Sequence, residues 1–264
     1  VSRTEGTAVV RGKRIFYRQQ TSPPGNKFAV LLIHGNTGSS LWFDRVMNVP
    51  GMDMVAPDMP NFGNSDALEE SDIDLYAEYI SGFCDEILPG RQLVVVGHSL
   101  GGAVAMSLAL SSPERIAGLM LVDSCPPGGL VTPEEHYPAI ERYRTNPALL
   151  RAALAAVTPH LADGVFLDEL VEDARRMSPA AFVGNARALA RFDCESRSTR
   201  LGSPVLVVWG SEDIIVSREM ALRTANAFPR GELLTLSEVG HSLMVEDPNR
   251  FITVLNEFVG NLMR

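Results

Sequence analysis

The sequence predicts an α/β protein: a mostly parallel, eight-stranded sheet flanked by helices, with a helical segment inserted near its middle. Three observations predict it. Short apolar runs bounded by turn residues alternate with stretches of helical period, as expected for strands buried on both faces beneath helices. The first two runs are joined by a tight turn instead of a helix, so they read as antiparallel. From about residue 124 to 200 the alternation stops, and helical segments are punctuated by Pro133, Pro138, Pro147, Pro159 and Pro179 with no convincing strand.

The elements follow in order. Thr7 to Val10 and Lys13 to Arg18 flank an Arg11-Gly12 turn and form an edge hairpin. Phe28 to Ile33, Met52 to Ala56, Leu93 to Val96, Leu119 to Val122, Val205 to Trp209 and Leu233 to Leu236 are short β-branched and leucine-rich runs, hence strands. Leu75 to Leu88, Ala103 to Leu110, Arg218 to Ala227 and Pro248 to Met263 read as helices, the last with Phe251, Val254, Leu255 and Phe258 at helical spacing. The predicted division is a core of residues 1–123 and 201–264 and a helical cap of residues 124–200. The cap's large apolar residues, Tyr143, Leu154, Phe182 and Leu189 among them, are expected mostly to pack its helices together, with some left to line a pocket.

The junction Leu93 to Ala105 concentrates the chemistry. A buried strand runs through Gly97-His98-Ser99-Leu100-Gly101 into an alanine-rich helix, the strand-turn-helix context of a nucleophile elbow. A turn that tight puts the serine in a strained backbone conformation, and side chains two residues to either side would collide, so glycine is required at both. The Ser99 hydroxyl then stands at a helix amino end, where free N–H groups can receive a developing oxyanion.

A serine hydroxyl needs a base, and the base needs a group to fix its tautomer. Of five histidines, His241 lies in Val239-Gly240-His241-Ser242, between the last strand and the final helix, on a loop able to reach the carboxyl edge of the sheet. Asp213 follows the strand ending at Trp209 on another loop at that edge. Catalytic groups of open parallel sheets gather there, and the order Ser, Asp, His is that of the elbow enzymes. Asp123, directly after the preceding strand, competes for the acid role. His34 reads as a structural brace, His98 as a packed residue turned from the pocket, and His136 and His160 as cap residues.

These motifs resemble the α/β-hydrolase superfamily, from about Val9 to the carboxyl terminus apart from the cap. The resemblance implies the α/β-hydrolase fold. His34-Gly35-Asn36-Thr37-Gly38 resembles the family's oxyanion loop, which implies an oxyanion hole made by the backbone amides of Asn36 and Leu100. Asp58-Met59-Pro60-Asn61-Phe62-Gly63-Asn64-Ser65 resembles its Asp-x-Pro-Gly-x-Gly-x-Ser turn, with Asn61 in place of the first glycine, a residue that tolerates left-handed dihedrals. A serine nucleophile argues against the branches whose elbow carries aspartate, the dehalogenases and epoxide hydrolases. What remains first is hydrolysis of a carboxylic ester or lactone of a small, partly apolar molecule. The alternatives are a carbon–carbon bond hydrolase with the same triad, whose members usually carry Asn where His98 stands, and a slow-turnover ligand receptor of the same fold.

Composition narrows the partners. A net charge of -9 leaves no basic surplus for nucleic acid or anionic membranes, and no apolar run reaches the length of a membrane span. The three cysteines, Cys84, Cys125 and Cys194, are widely spaced and odd in number, which suits a reducing, cytoplasmic compartment. Cys125 lacks an elbow and reads as a packed thiol. No metal-site spacing and no phosphate-cradling loop is present, so neither metal nor cofactor is expected. The expected assembly is a monomer or homodimer.

Overall fold

The computed structural model describes residues 2–22 and 27–264, so Val1 and residues 23–26 lie outside it. The eight strands are β1 (Ser2–Val10), β2 (Lys13–Thr21), β3 (Phe28–Ile33), β4 (Asp53–Pro57), β5 (Gln92–His98), β6 (Ile116–Val122), β7 (Val205–Gly210) and β8 (Gly231–Leu236). They form one sheet in the order β1-β2-β4-β3-β5-β6-β7-β8. β1 and β2 pair antiparallel, as do β2 and β4, and every remaining pair is parallel. The mostly parallel α/β sheet read from the sequence is therefore present. β1 begins earlier than the apolar pattern indicates, because its first residues are exposed on an edge and need no hydrophobic face. The hairpin turn uses positive φ at both Arg11 (50°) and Gly12 (79°), the twist that matches right-handed strands.

Alternation within the central strands sorts their side chains to two cores. Leu93 and Val95 of β5 pack on one face with Leu31, Tyr76, Phe83 and Val207. Val94 and Val96 point the other way, to Leu32, Phe43, Met120 and Phe251. Each such side chain contributes roughly 1.5–3 kcal/mol on burial, so both faces demand cover and the strand sequence becomes a continuous apolar run. The cover comes from α1 (Ile73–Ile87), α2 (Leu100–Ser111), α8 (Arg218–Ala227) and α10 (Pro248–Leu262). α2 is buried on all sides over its first ten residues, which explains its small side chains. α1 and α10 start on aspartate caps: Asp72 accepts from Leu75 N–H and Asp247 from Arg250 N–H, with Pro248 at the first turn of α10.

Between β6 and β7 the chain forms α3 (Tyr137–Tyr143), α4 (Pro147–Ala156), α5 (Gly164–Ala174), α6 (Ala181–Arg191) and the single turn α7 (Glu195–Ser198). Pro138 and Pro147 sit in helix first turns, where the missing N–H costs nothing. A further turn, α9 (Leu243–Glu246), precedes α10. No helix among the described residues is long and apolar enough to cross a membrane.

Candidate active site

Ser99 lies between β5 and α2 at φ 53° and ψ -118°, a conformation that L-residues avoid. The packing shows what enforces it. A Cβ added to Gly97 would lie 2.5 Å from the Gly101 carbonyl oxygen, and one on Gly101 would lie 2.2 Å from that of His34. One on Gly35 would lie 3.0 Å from Ser99 Cβ. The loop after β3 can thus press against the turn only because these positions lack side chains. It leaves Asn36 beside Ser99, with the Leu100 N–H at the free amino end of α2.

Three loops converge on the serine. His241 Nε2 lies 2.8 Å from Ser99 Oγ, and His241 Nδ1 lies 2.8 Å from Asp213 Oδ2. The other Asp213 oxygen accepts the backbone N–H groups of Ile215 (2.7 Å) and Val216 (3.0 Å), and the side chain is wholly buried. Its two oxygens therefore face three donors, and Nδ1–H is left to donate to the carboxylate while Nε2 offers a lone pair to the serine. Asp123, the competing acid, does not meet the imidazole. Its Oδ1 accepts the Gly210 N–H at 2.8 Å and its Oδ2 has no partner. Burial, followed by the neighbouring Asp213 charge, pushes its carboxyl well above the usual range, which favours the protonated form.

The remaining histidines separate. His34 is buried; Met59 N–H donates to its Nε2 at 2.9 Å, so Nδ1–H donates to Gly35 O at 2.9 Å, bracing the loop that carries Asn36. Burial lowers its pKa to about 4. His98 is packed, but it is turned toward the site and not away from it. It stacks on Trp42, with ring centroids 5.7 Å apart, lines the cavity, and donates from Nε2 to the His241 carbonyl at 2.8 Å. Burial and the neighbouring His241 push it down to about 3, leaving it neutral. His160 pairs with Glu212 at 2.9 Å on the surface, and His136 lies at the cavity wall. Burial raises the Cys125 thiol far above the thiolate range, which removes it as a nucleophile.

The alpha/beta hydrolase family model matches residues 30–254. The chain belongs to this family. A curated relative, the 2-hydroxy-6-oxononadienedioate/2-hydroxy-6-oxononatrienedioate hydrolase of Paraburkholderia phymatum, is 29% identical over 260 residues, 89% of this chain and 88% of that protein. Among solved structures, the enol-lactonase from Burkholderia xenovorans superposes with a TM-score of 0.83 at 20% identity, covering 97% of this chain and 100% of that one. A thermophilic esterase from Thermogutta terrifontis gives 0.75 at 23% identity, covering 98% and 99%. These likenesses fit the alpha/beta hydrolase fold described above.

As in an open α/β sheet generally, the cavity of this hydrolase sits outside the carboxyl ends of the strands. It encloses about 520 Å³ above Ser99 and His241. Helices α3, α4 and α6 of the insertion form much of its wall, with Tyr143, Leu154, Phe182 and Leu189 facing Trp42 and Ile214 across it. No Lys or Arg lines it among the described residues. Nor does any group of three or more His, Cys, Asp and Glu gather to hold a metal ion among them. Two residues that organise the site escaped the sequence reading. Glu246 holds both sides of the His241 loop, and Asn185 of α6 donates to the side chain of Asn36. Asn185 carried a signal: it falls on the apolar stripe of α6, between Phe182 and Leu189, where a polar residue needs a partner.

Proposed function

We propose that the chain is a serine hydrolase that cleaves a carboxylic ester or lactone of a small, partly apolar molecule, with Ser99, His241 and Asp213 as its triad. The observation that carries this reading is the unbroken run of hydrogen bonds, Asp213 to His241 to Ser99 at 2.8 Å each, at the floor of the cavity. His241 Nε2 takes the Ser99 proton as Oγ attacks the carbonyl carbon. The N–H groups of Asn36 and Leu100 receive the oxygen that becomes negative. His241 then protonates the departing alkoxide, leaving an acyl group on Ser99, and water repeats the sequence to release the acid. Asp213 keeps Nδ1 protonated and stabilises the transient imidazolium. Residues 124–200 act as the cap that closes the cavity over this chemistry, and the three buried, unpaired cysteines suit a cytoplasmic protein.

Carbon–carbon bond hydrolysis is the second reading, favoured by the dienedioate hydrolases among the relatives. Their named substrates are dicarboxylates, which call for cationic or convergent donor groups. The cavity of this chain offers an apolar wall without Lys or Arg, which supports an uncharged ester or lactone instead. Purified protein is assayed with 4-nitrophenyl esters of short and medium chain, a lactone panel and a dienedioate, with Ser99→Ala as control. Ser99-dependent turnover of esters or lactones above the dienedioate supports the first reading. Preference for the dienedioate transfers it to the second, and binding without turnover makes the protein a receptor.

A further inference from the structure

Asn36 has a side-chain donor that the protein leaves unused. The residue lines the cavity with Ser99 and His241, and its Oδ1 accepts from Asn185 Nδ2 at 2.8 Å. Its own Nδ2 makes no hydrogen bond among the described residues.

A chain of donors sets which end of each carboxamide faces which way. It begins at the backbone N–H of Leu68, which can only donate and does so to Asn61 Oδ1 at 2.7 Å. Asn61, held at φ 78°, therefore turns its Nδ2 to the Tyr76 hydroxyl oxygen at 3.0 Å. The Tyr76 hydroxyl, also beside Ser71 Oγ at 3.0 Å, donates to Asn185 Oδ1 at 2.9 Å. Asn185 is fully buried, and its Nδ2 faces both Asn36 Oδ1 and the Met177 sulfur, the latter at 3.7 Å. The reverse orientation would set the Asn185 carbonyl against the sulfur lone pairs. With Asn36 Oδ1 occupied, Nδ2 is the free end of that carboxamide. Asn61, the departure from glycine in the turn after β4, thus anchors a relay 2.7–3.0 Å long at each step.

We propose that Asn36 Nδ2–H is a third donor to the substrate oxygen that gains charge as Ser99 attacks, and that Asn185 is the positioning residue that aims it. This rests on the serine-hydrolase reading above. Asn185 shares one face of α6 with Phe182, Ala186 and Leu189, all at the cavity wall, so the same helix touches the acyl substrate and sets the donor. An insertion helix displaced from the core leaves Asn36 free to turn, and the hole loses this donor.

The test uses a 4-nitrophenyl ester with wild type, Ser99→Ala, Asn36→Ala, Asn185→Ala and the Asn36/Asn185 double alanine variant. Each single asparagine variant is expected to lose roughly 10- to 100-fold in kcat with KM held within about threefold, since the donor acts on developing charge. The double variant should match Asn36→Ala, because Asn185 acts only through Asn36. Asn36→Asp, which keeps the shape but offers an oxygen in place of the N–H, should fall below Asn36→Ala even if Asn185→Ala folds poorly. Wild-type kcat in Asn36→Ala, losses that multiply in the double variant, or an Asn36→Asp enzyme as fast as Asn36→Ala each overturn the proposal. Undiminished turnover in Ser99→Ala overturns the serine reading and this inference together; loss in Ser99→Ala beside an unaffected Asn36→Ala overturns this one alone.

Discussion

Glu246 clasps the loop that carries His241. Its Oε2 accepts the Gly240 N–H at 3.0 Å and its Oε1 the Ser242 N–H at 2.9 Å, one bond on either side of the imidazole. The same Oε2 accepts the His160 N–H of the insertion at 3.2 Å. A carboxylate is the only side chain of that size with an acceptor at both ends.

Glu246→Gln replaces one acceptor with an NH2 group that faces a backbone N–H. The His241 loop should loosen, and kcat should fall by about 10-fold, the range expected for loss of one charge-assisted hydrogen bond that aligns a base. Steady-state kinetics beside a melting curve checks this. Unchanged kcat in a folded variant would mean that the His241 loop holds itself.

The two aspartates at this edge should respond very unequally to the same change. Asp213→Asn removes the charge that stabilises the imidazolium and offers the wrong tautomer, so kcat should drop by roughly two to four orders of magnitude. Burial beside Asp213 favours the protonated form of Asp123, and asparagine is close in shape and charge to a protonated carboxyl. Asp123→Asn should stay within about threefold of wild type. Kinetics on both variants decides between them, and a reversed pattern would move the acid to the end of β6.

Asp173 of α5 supplies a pH dependence. The carboxyl is buried, its Oδ1 lies 4.0 Å from Arg176 Nη1, and its Oδ2 has no partner. Burial raises its pKa from the ordinary 3.8 to about 6. Between those values the folded state holds a proton that the unfolded chain has released, so this group's contribution to stability is greatest at low pH and is lost as pH rises through about 6. At 1.36 kcal/mol per pKa unit the loss is on the order of 3 kcal/mol. Asp173→Asn keeps the size and shape of the side chain and cannot ionise. Its Tm should exceed that of wild type by several degrees at pH 7.5, with the difference shrinking toward pH 4.5. Melting curves across pH test this, and a variant less stable at pH 7.5 would mean that the charged form is the one the site favours.

Much of the framework was legible because its determinants are local. A strand buried on both faces must be an apolar run, and Phe28–Ile33 begins and ends where its side chains do. The turn at Ser99 announces itself through Gly97 and Gly101, since close packing there excludes any Cβ. Ser99, Asp213 and His241 each follow a strand, so their common edge could be read from strand order alone. What stayed hidden depends on contacts between distant segments. Helical spacing puts Asn185 on an apolar face, but nothing in that spacing names Asn36 as its partner. Asp173 reads as an ordinary helix aspartate until α5 docks against Ser39. The sequence points His98 away from the pocket, whereas its partner is a backbone carbonyl, that of His241, which carries no sequence signature.

Every role proposed for the site depends on Ser99 being the nucleophile. A fluorophosphonate should label the protein once, at Ser99, in step with loss of ester hydrolysis, and Ser99→Ala should neither label nor turn over while keeping its melting temperature. Peptide mapping of the labelled protein makes the measurement. Stoichiometric label on another residue, or full activity in Ser99→Ala, would place the nucleophile elsewhere.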